Sequence, residues 1–219
     1  MHCGAYLDHA ENEIRAFLKG ISRVLFVPYA LQDRDGYTAV ARRRFEAMGL
    51  ALDSIHETDD PKQAVEQAEA MFIGGGNTFR LLNTLYHYEL LPWIRERVRI
   101  GMRYMGASAG SNIAGPTIKT TNDMPIVQPP SFEALGLVPF QINPHYIDAD
   151  PASTHMGETR EQRLREYLEE NEVPVVAIRE AAMIRVEGDI TTLEGKAGAR
   201  IFRRGREPYE IEPGSLIEL

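Results

Sequence analysis

The chain of 219 residues is poor in cysteine, in basic charge and in long apolar runs. A single cysteine, Cys3, excludes an intramolecular disulfide. The six histidines are scattered and form no Cys/His cluster of structural-zinc spacing, so no metal is expected. The opening Met-His-Cys-Gly-Ala-Tyr has no basic region followed by an apolar run, which predicts no signal peptide. No stretch approaches the roughly 18 consecutive apolar residues of a membrane span. With 24 basic against 32 acidic residues the net charge is −8, a surface that repels phosphate backbones and anionic lipid. Neither nucleic acid nor a membrane is an expected partner, and a reducing cytoplasm is the expected setting. The 43% hydrophobic and 26% charged content matches ordinary globular proteins and predicts one domain over residues 1–219.

Short apolar runs alternate with amphipathic stretches. Val24–Val27, Ala51–His56, Ala70–Ile73 and Tyr104–Ala107 read as strands. Between them, 37–48, Pro61–Glu69, a segment from Thr78, and Leu91–Ile100 show helical spacing. Ala5–Leu18 reads as a helix at the start. This alternation predicts an α/β fold with a flavodoxin-like, mostly parallel sheet and helices on both faces. Residues 115–144 hold six prolines and read as loops. Thr159 and Gln162 fit a capping box opening a further helix. Val175–Ile178 is another buried strand, and residues 183–193, turning at Gly188-Asp189, predict a C-terminal β-hairpin.

Ligands of such sheets sit beyond the carboxyl ends of the strands, and two loops there carry chemistry. Gly106-Ala107-Ser108-Ala109-Gly110 matches G-x-S-x-G at a strand-to-helix junction, where a sharp turn presents the serine and glycines on either side avoid collision. Ser108 is the candidate nucleophile and the Ala109 N–H a candidate oxyanion donor. The bland alternative is a tight turn with a capping serine. Gly74-Gly75-Gly76-Asn77-Thr78 follows another strand. Phe79 stands where a dinucleotide-binding loop wants its last glycine, and no Gly-Lys-Ser/Thr follows, so no nucleotide or other cofactor is expected. Gly76 is the second candidate oxyanion donor and Asn77 a candidate substrate contact, with helix capping by Asn77 or Thr78 as the alternative.

A serine needs a histidine to take its proton and an acid to orient that histidine. His145, in Gln141-Ile142-Asn143-Pro144-His145, follows a short strand and a proline that holds its backbone. The other candidates are His2, His9, His56, His87 and His155. Asp123 and Glu180 both suit the acid, and local reasoning does not choose between them.

Taken together, Gly74–Phe79, Gly106–Gly110, Pro116–Pro125, Gln141–His145 and Gly157–Arg163 resemble the peptidase E family of aspartyl dipeptidases, the S51 serine peptidases. The likeness runs without gaps over about residues 70–187 of the sequence. It implies a fold related to class I glutamine amidotransferases and cleavage of dipeptides that begin with aspartate. It implies Ser108 as nucleophile, His145 as base and Glu180 as acid, with Asp123 as the alternative acid and Gly76 and Ala109 as oxyanion donors. Arg160 would pair with the substrate's aspartyl carboxylate, because a guanidinium fork grips a carboxylate bidentately. Three departures stand out. The family's opening strand is not apparent before Ala5. Ala181 and Ala182 stand where glycine and a larger residue are expected. Met183 replaces a larger side chain, which would widen that wall of the pocket. Rival readings are a cyanophycinase-like peptidase, a generic esterase and a non-catalytic sensor on the same fold. Oligomeric state is left open, a homodimer included.

Overall fold

The computed structural model describes residues 6–150, 152 and 157–219. Cys3, His2 and His155, and the start of the expected first helix, lie outside the described residues. Among those described, a 3-10 turn at Asp8–Ala10 leads into α1 (Glu11–Phe17). Four parallel strands then form the first sheet: β1 (Arg23–Val27), β2 (Ala51–Ser54), β3 (Ala70–Ile73) and β4 (Arg103–Gly106), in the order β2-β1-β3-β4. Helices α2 (Arg34–Ala47), α3 (Pro61–Gln67), α4 (Thr78–His87) and α5 (Leu90–Arg99) connect them.

The two central strands are covered on both faces, which is why Val24–Val27 of β1 and Ala70–Ile73 of β3 read as unbroken apolar runs. By contrast, β2 at the edge carries the exposed Asp53. Leu25, Val27, Met71 and Ile73 point into one core with Leu81, Leu82 and Leu85 of α4 and Ile94 of α5. Val24, Phe26 and Phe72 point into the other, with Ala41 and Phe45 of α2. Phe45 is fully buried, a position where truncation to alanine costs about 3–5 kcal/mol.

After α6 (Ala109–Asn112) and the proline-rich loops comes a second four-stranded sheet, ordered β10-β9-β6-β5. Its strands are β5 (Gln141–Asn143), β6 (Val175–Ile178), β9 (Ala199–Phe202) and β10 (Tyr209–Ile211). β5 and β6 are parallel, whereas β9 and β10 join antiparallel. The helix α7 (Arg160–Glu170) packs Leu164 and Leu168 on one face. Its N-terminus carries the expected capping box between Thr159 and Gln162. The expected hairpin forms from β7 (Ala182–Glu187) and β8 (Ile190–Gly195), and it places Leu193 against the opposite face.

β3 and β6 match their expected bounds. α2 begins earlier than its apolar spacing suggests, because Asp33 caps it by accepting the Gly36 N–H at 2.9 Å. β9 and β10 carry no signal in the sequence reading. At four and three residues they are too short for an alternation to register.

Candidate active site

The nucleophile loop is built by steric exclusion. Ser108 takes φ 51° and ψ −107°, a conformation costly for a residue with a Cβ. Its hydroxyl caps nothing, so the capping alternative has no support in the geometry. A Cβ on Gly106 would lie 2.4 Å from the Gly110 carbonyl, and one on Gly110 would lie 2.1 Å from the Ile73 oxygen. The spacing of this motif is therefore imposed by backbone packed on backbone. The partly buried Tyr104 braces the turn by donating its hydroxyl proton to Gly110 O at 2.6 Å.

The glycine loop lies against this turn. A Cβ on Gly75 would come within 2.9 Å of Ser108 Cβ. Around it the backbone N–H groups are nearly all taken. Gly74 N–H donates to Val27 O at 3.1 Å and Asn77 N–H to Ala30 O at 2.9 Å. Gly75 N–H donates to the Tyr37 hydroxyl at 2.8 Å. Gly76 N–H has no acceptor among the described residues, and neither has Ala109 N–H. Gly76 holds φ 132°, and a Cβ there would sit 2.7 Å from Ala30 O. Tyr37, whose hydroxyl also bonds the Tyr6 hydroxyl at 3.0 Å, is a site-shaping residue that sequence reasoning missed. Burial raises its hydroxyl above the ordinary tyrosine range and keeps it a neutral partner. It sits in a helix 38 residues before Gly75 and belongs to no motif.

His145 stands across the mouth of the sheet. Its Nε2 lies 2.8 Å from Ser108 Oγ, and its Nδ1 meets Glu180 Oε1. An imidazole with its proton on Nδ1 donates to Glu180 and accepts from the serine hydroxyl. Both side chains face solvent, at 49% and 68% exposure, so water screens their attraction until a substrate covers them. The parallel register of β5 and β6, with Asn143 opposite Ala177, delivers His145 and Glu180 to one edge. His145 itself has φ 57°, and Ala181, just after Glu180, has φ 65°.

Charges hold this half. The Arg179 guanidinium forks onto Asp148 at 2.7 and 2.8 Å and also donates to Glu210 of β10 at 2.8 Å. It lies 5.5 Å from the centre of the Tyr146 ring. Arg179 thus ties the segment after His145 to the residue before Glu180. Hydrogen bonds from Arg179 hold the Asp148 carboxyl below its usual range. Buried Asn112 joins the two halves by donating to Ile142 O at 2.7 Å.

Asp123 does not reach the imidazole. Its Oδ2 accepts from Thr78 N–H at 2.7 Å, the Thr78 hydroxyl at 2.6 Å and the Thr121 hydroxyl at 3.2 Å. Asn77 caps α4 by accepting the Arg80 N–H at 3.0 Å, and its amide donates to Met124 O at 2.8 Å. Arg160, at the first position of α7, makes no ion pair among the described residues. Burial, then repulsion from Arg163, pulls its guanidinium below the usual arginine range, and nearby Asp123 opposes that shift. His56 instead bonds Ser54 and Asp35, and His87 packs on Tyr88.

A serine hydroxyl, an imidazole and a carboxylate in line, beside two unused backbone donors, can carry out acyl transfer. The family model for peptidase family S51 matches residues 1–193. The chain belongs to peptidase family S51. It is a serine peptidase by that membership. A relative named peptidase E from Streptomyces coelicolor is 55% identical, over 100% of this chain and 90% of its own length. A Drosophila melanogaster relative, named as a probable alpha-aspartyl dipeptidase, is 45% identical over 97% of this chain and 90% of its own. The crystal structure of a peptidase from an acI-B1 Actinobacterium superposes with a TM-score of 0.75. It covers 99% of this chain and 93% of that one at 18% identity, a likeness of fold. No helix of the described residues is long and apolar enough to cross a membrane.

Proposed function

We propose that this S51 peptidase removes an N-terminal aspartate from dipeptides through an acyl-enzyme on Ser108. The observation that carries the reading is the hydrogen-bonded line from Ser108 through His145 to Glu180. Ser108 Oγ attacks the peptide carbonyl as His145 Nε2 takes its proton, and Glu180 stabilises the imidazolium. The developing oxyanion is received by the N–H groups of Gly76 and Ala109, each such donor being worth about 3 kcal/mol in comparable sites. Collapse breaks the C–N bond as His145 protonates the leaving amine. Water, deprotonated by the same imidazole, then releases aspartate.

Arg160 supplies the cation for the aspartyl carboxylate. Its support is a partly buried guanidinium with no ion pair among the described residues, together with the name of the Drosophila relative, a probable alpha-aspartyl dipeptidase. The Asn77 amide retains one N–H for substrate. Asp123, the other acid, stays outside the relay in this reading, its hydrogen bonds running to Thr78 and Thr121. A reducing cytoplasm accords with a chain holding one cysteine. The test is turnover of Asp-Leu, Glu-Leu and Ala-Leu by the wild type and by Ser108→Ala. Wild type should prefer Asp-Leu, and the variant should lose roughly 10⁴-fold or more. Undiminished hydrolysis by the variant removes Ser108 from the mechanism.

A further inference from the structure

Asp123 is anchored by one oxygen only. All three hydrogen bonds that its carboxylate accepts fall on Oδ2, and Oδ1 accepts none from the described residues. A carboxylate offers about four lone-pair sites, so half of this one is held in a fixed direction without a partner. The side chain is partly exposed rather than sealed in the core.

Its place is the acyl side of the mouth. Thr78, which binds Oδ2, is three residues beyond Gly75, whose Cα abuts Ser108. Successive Cα atoms are about 3.8 Å apart, so that path spans at most roughly 11 Å. On the other flank, the preceding Asn122 donates to Pro144 O, next to His145, at 2.7 Å. Arg160 is near enough for the Asp123 charge to act on it. One anion and one cation, within electrostatic reach of each other but not paired among the described residues, therefore lie beyond the nucleophile. The first residue of an aspartyl dipeptide carries one free ammonium and one side-chain carboxylate in the same proximity.

Building on the aspartyl dipeptidase reading, we infer that Asp123 Oδ1 receives the substrate's free α-ammonium while Arg160 receives its β-carboxylate. The pairing makes Asp123 a specificity residue for a free N-terminus. An acylated or internal aspartate brings a neutral amide there and leaves the carboxylate unpaired, which disfavours cleavage within longer chains.

The test compares aspartyl p-nitroanilide with its desamino analogue, succinyl p-nitroanilide, which keeps the β-carboxylate and leaving group. Wild type should favour the amine substrate by about 100-fold in kcat/KM, and Asp123→Asn should shrink that preference to about threefold, as expected when one charged hydrogen bond is lost. The preference is a ratio within one preparation, so a partly misfolded variant does not mimic the result. Equal loss on both substrates overturns the inference and assigns Asp123 to holding the loop. A wild type indifferent to the amine overturns it as well. Failure of the underlying reading looks different: Ser108→Ala would then hydrolyse both anilides at the wild-type rate.

Discussion

The two halves of the catalytic line are held by different physics. Ser108 and the glycine loop sit where backbone meets backbone. Gly106, Gly110 and Gly75 each leave less than 3 Å for an added Cβ, and the partly buried Tyr104 and Tyr37 brace the turns. His145 and Glu180 sit on exposed loops, gathered by the Arg179 fork and by the Tyr146 N–H donating to Ile178 O at 2.9 Å. Close packing is stiff and indifferent to solvent conditions. Ion pairs in water are soft, and salt weakens them. The oxyanion donors thus belong to the rigid half and proton transfer to the adaptable one, which suits a site whose base must follow the serine, the leaving amine and then water.

The contrast breaks most visibly at Gly110. Gly110→Ala places a Cβ 2.1 Å from Ile73 O, a backbone atom of β3 with nowhere to move. The expected cost is about 3 kcal/mol or more, read as a fall in the thermal midpoint. A displaced Ser108 should also lose at least about 100-fold in kcat/KM. Near-wild-type melting and activity would mean that the turn is not sterically closed.

Arg179→Met should produce the opposite pattern. Its partners are exposed, so stability should change by less than about 1 kcal/mol. Turnover should fall by about tenfold as His145 and Glu180 lose their shared anchor, and Arg179→Lys should restore only part of it, since an ammonium cannot fork. Rising ionic strength should lower wild-type kcat/KM more steeply than that of the methionine variant, which keeps only the salt sensitivity of Arg160 and of the His145–Glu180 pair. Because Arg179 lowers the folded-state pKa of Asp148, the pair's contribution is full above the ordinary aspartate pKa of about 4. It is lost only as pH falls through the lowered value, so activity changes between about pH 5 and 8 do not come from this clamp. Equal losses in stability and turnover would make Arg179 a structural residue.

The rigid half was legible in the sequence because it is local. Gly106–Gly110 and Gly74–Thr78 are contiguous, so their spacing registers as a motif, and Gly106 answers to a clash within its own turn. Gly74, Gly75 and Gly76, however, answer to Tyr37, Ser108 and Ala30 elsewhere in the chain. The choice between Asp123 and Glu180 as acid was not open to local reasoning, since it rests on β6 returning parallel to β5 and in register. Tyr37 and Arg179 left no signal for a similar reason: an ordinary tyrosine and an ordinary arginine become parts of the site only through partners 38 and 31 residues away. The antiparallel turn of β9 onto β6 is likewise a tertiary event, carried by only four residues.

The smallest expected effect tests one of the places where the family pattern and the chain disagree. The family resemblance expects glycine after Glu180, and Ala181 does occupy the left-handed region that glycine favours, at φ 65°. Alanine there carries a strain of about 1 kcal/mol. Ala181→Gly should relieve it, but glycine also enlarges the entropy of the unfolded chain, so the net gain should be within about 1 kcal/mol. The neighbouring backbone is already closed, because a Cβ on Gly195 would lie 2.2 Å from Ala181 O. The turn should therefore keep its shape, and kcat should change by no more than about twofold. A large loss of turnover with a raised melting midpoint would show that the strained alanine itself aims Glu180 at His145. The adaptable half would then contain one stiff point, set at the acid.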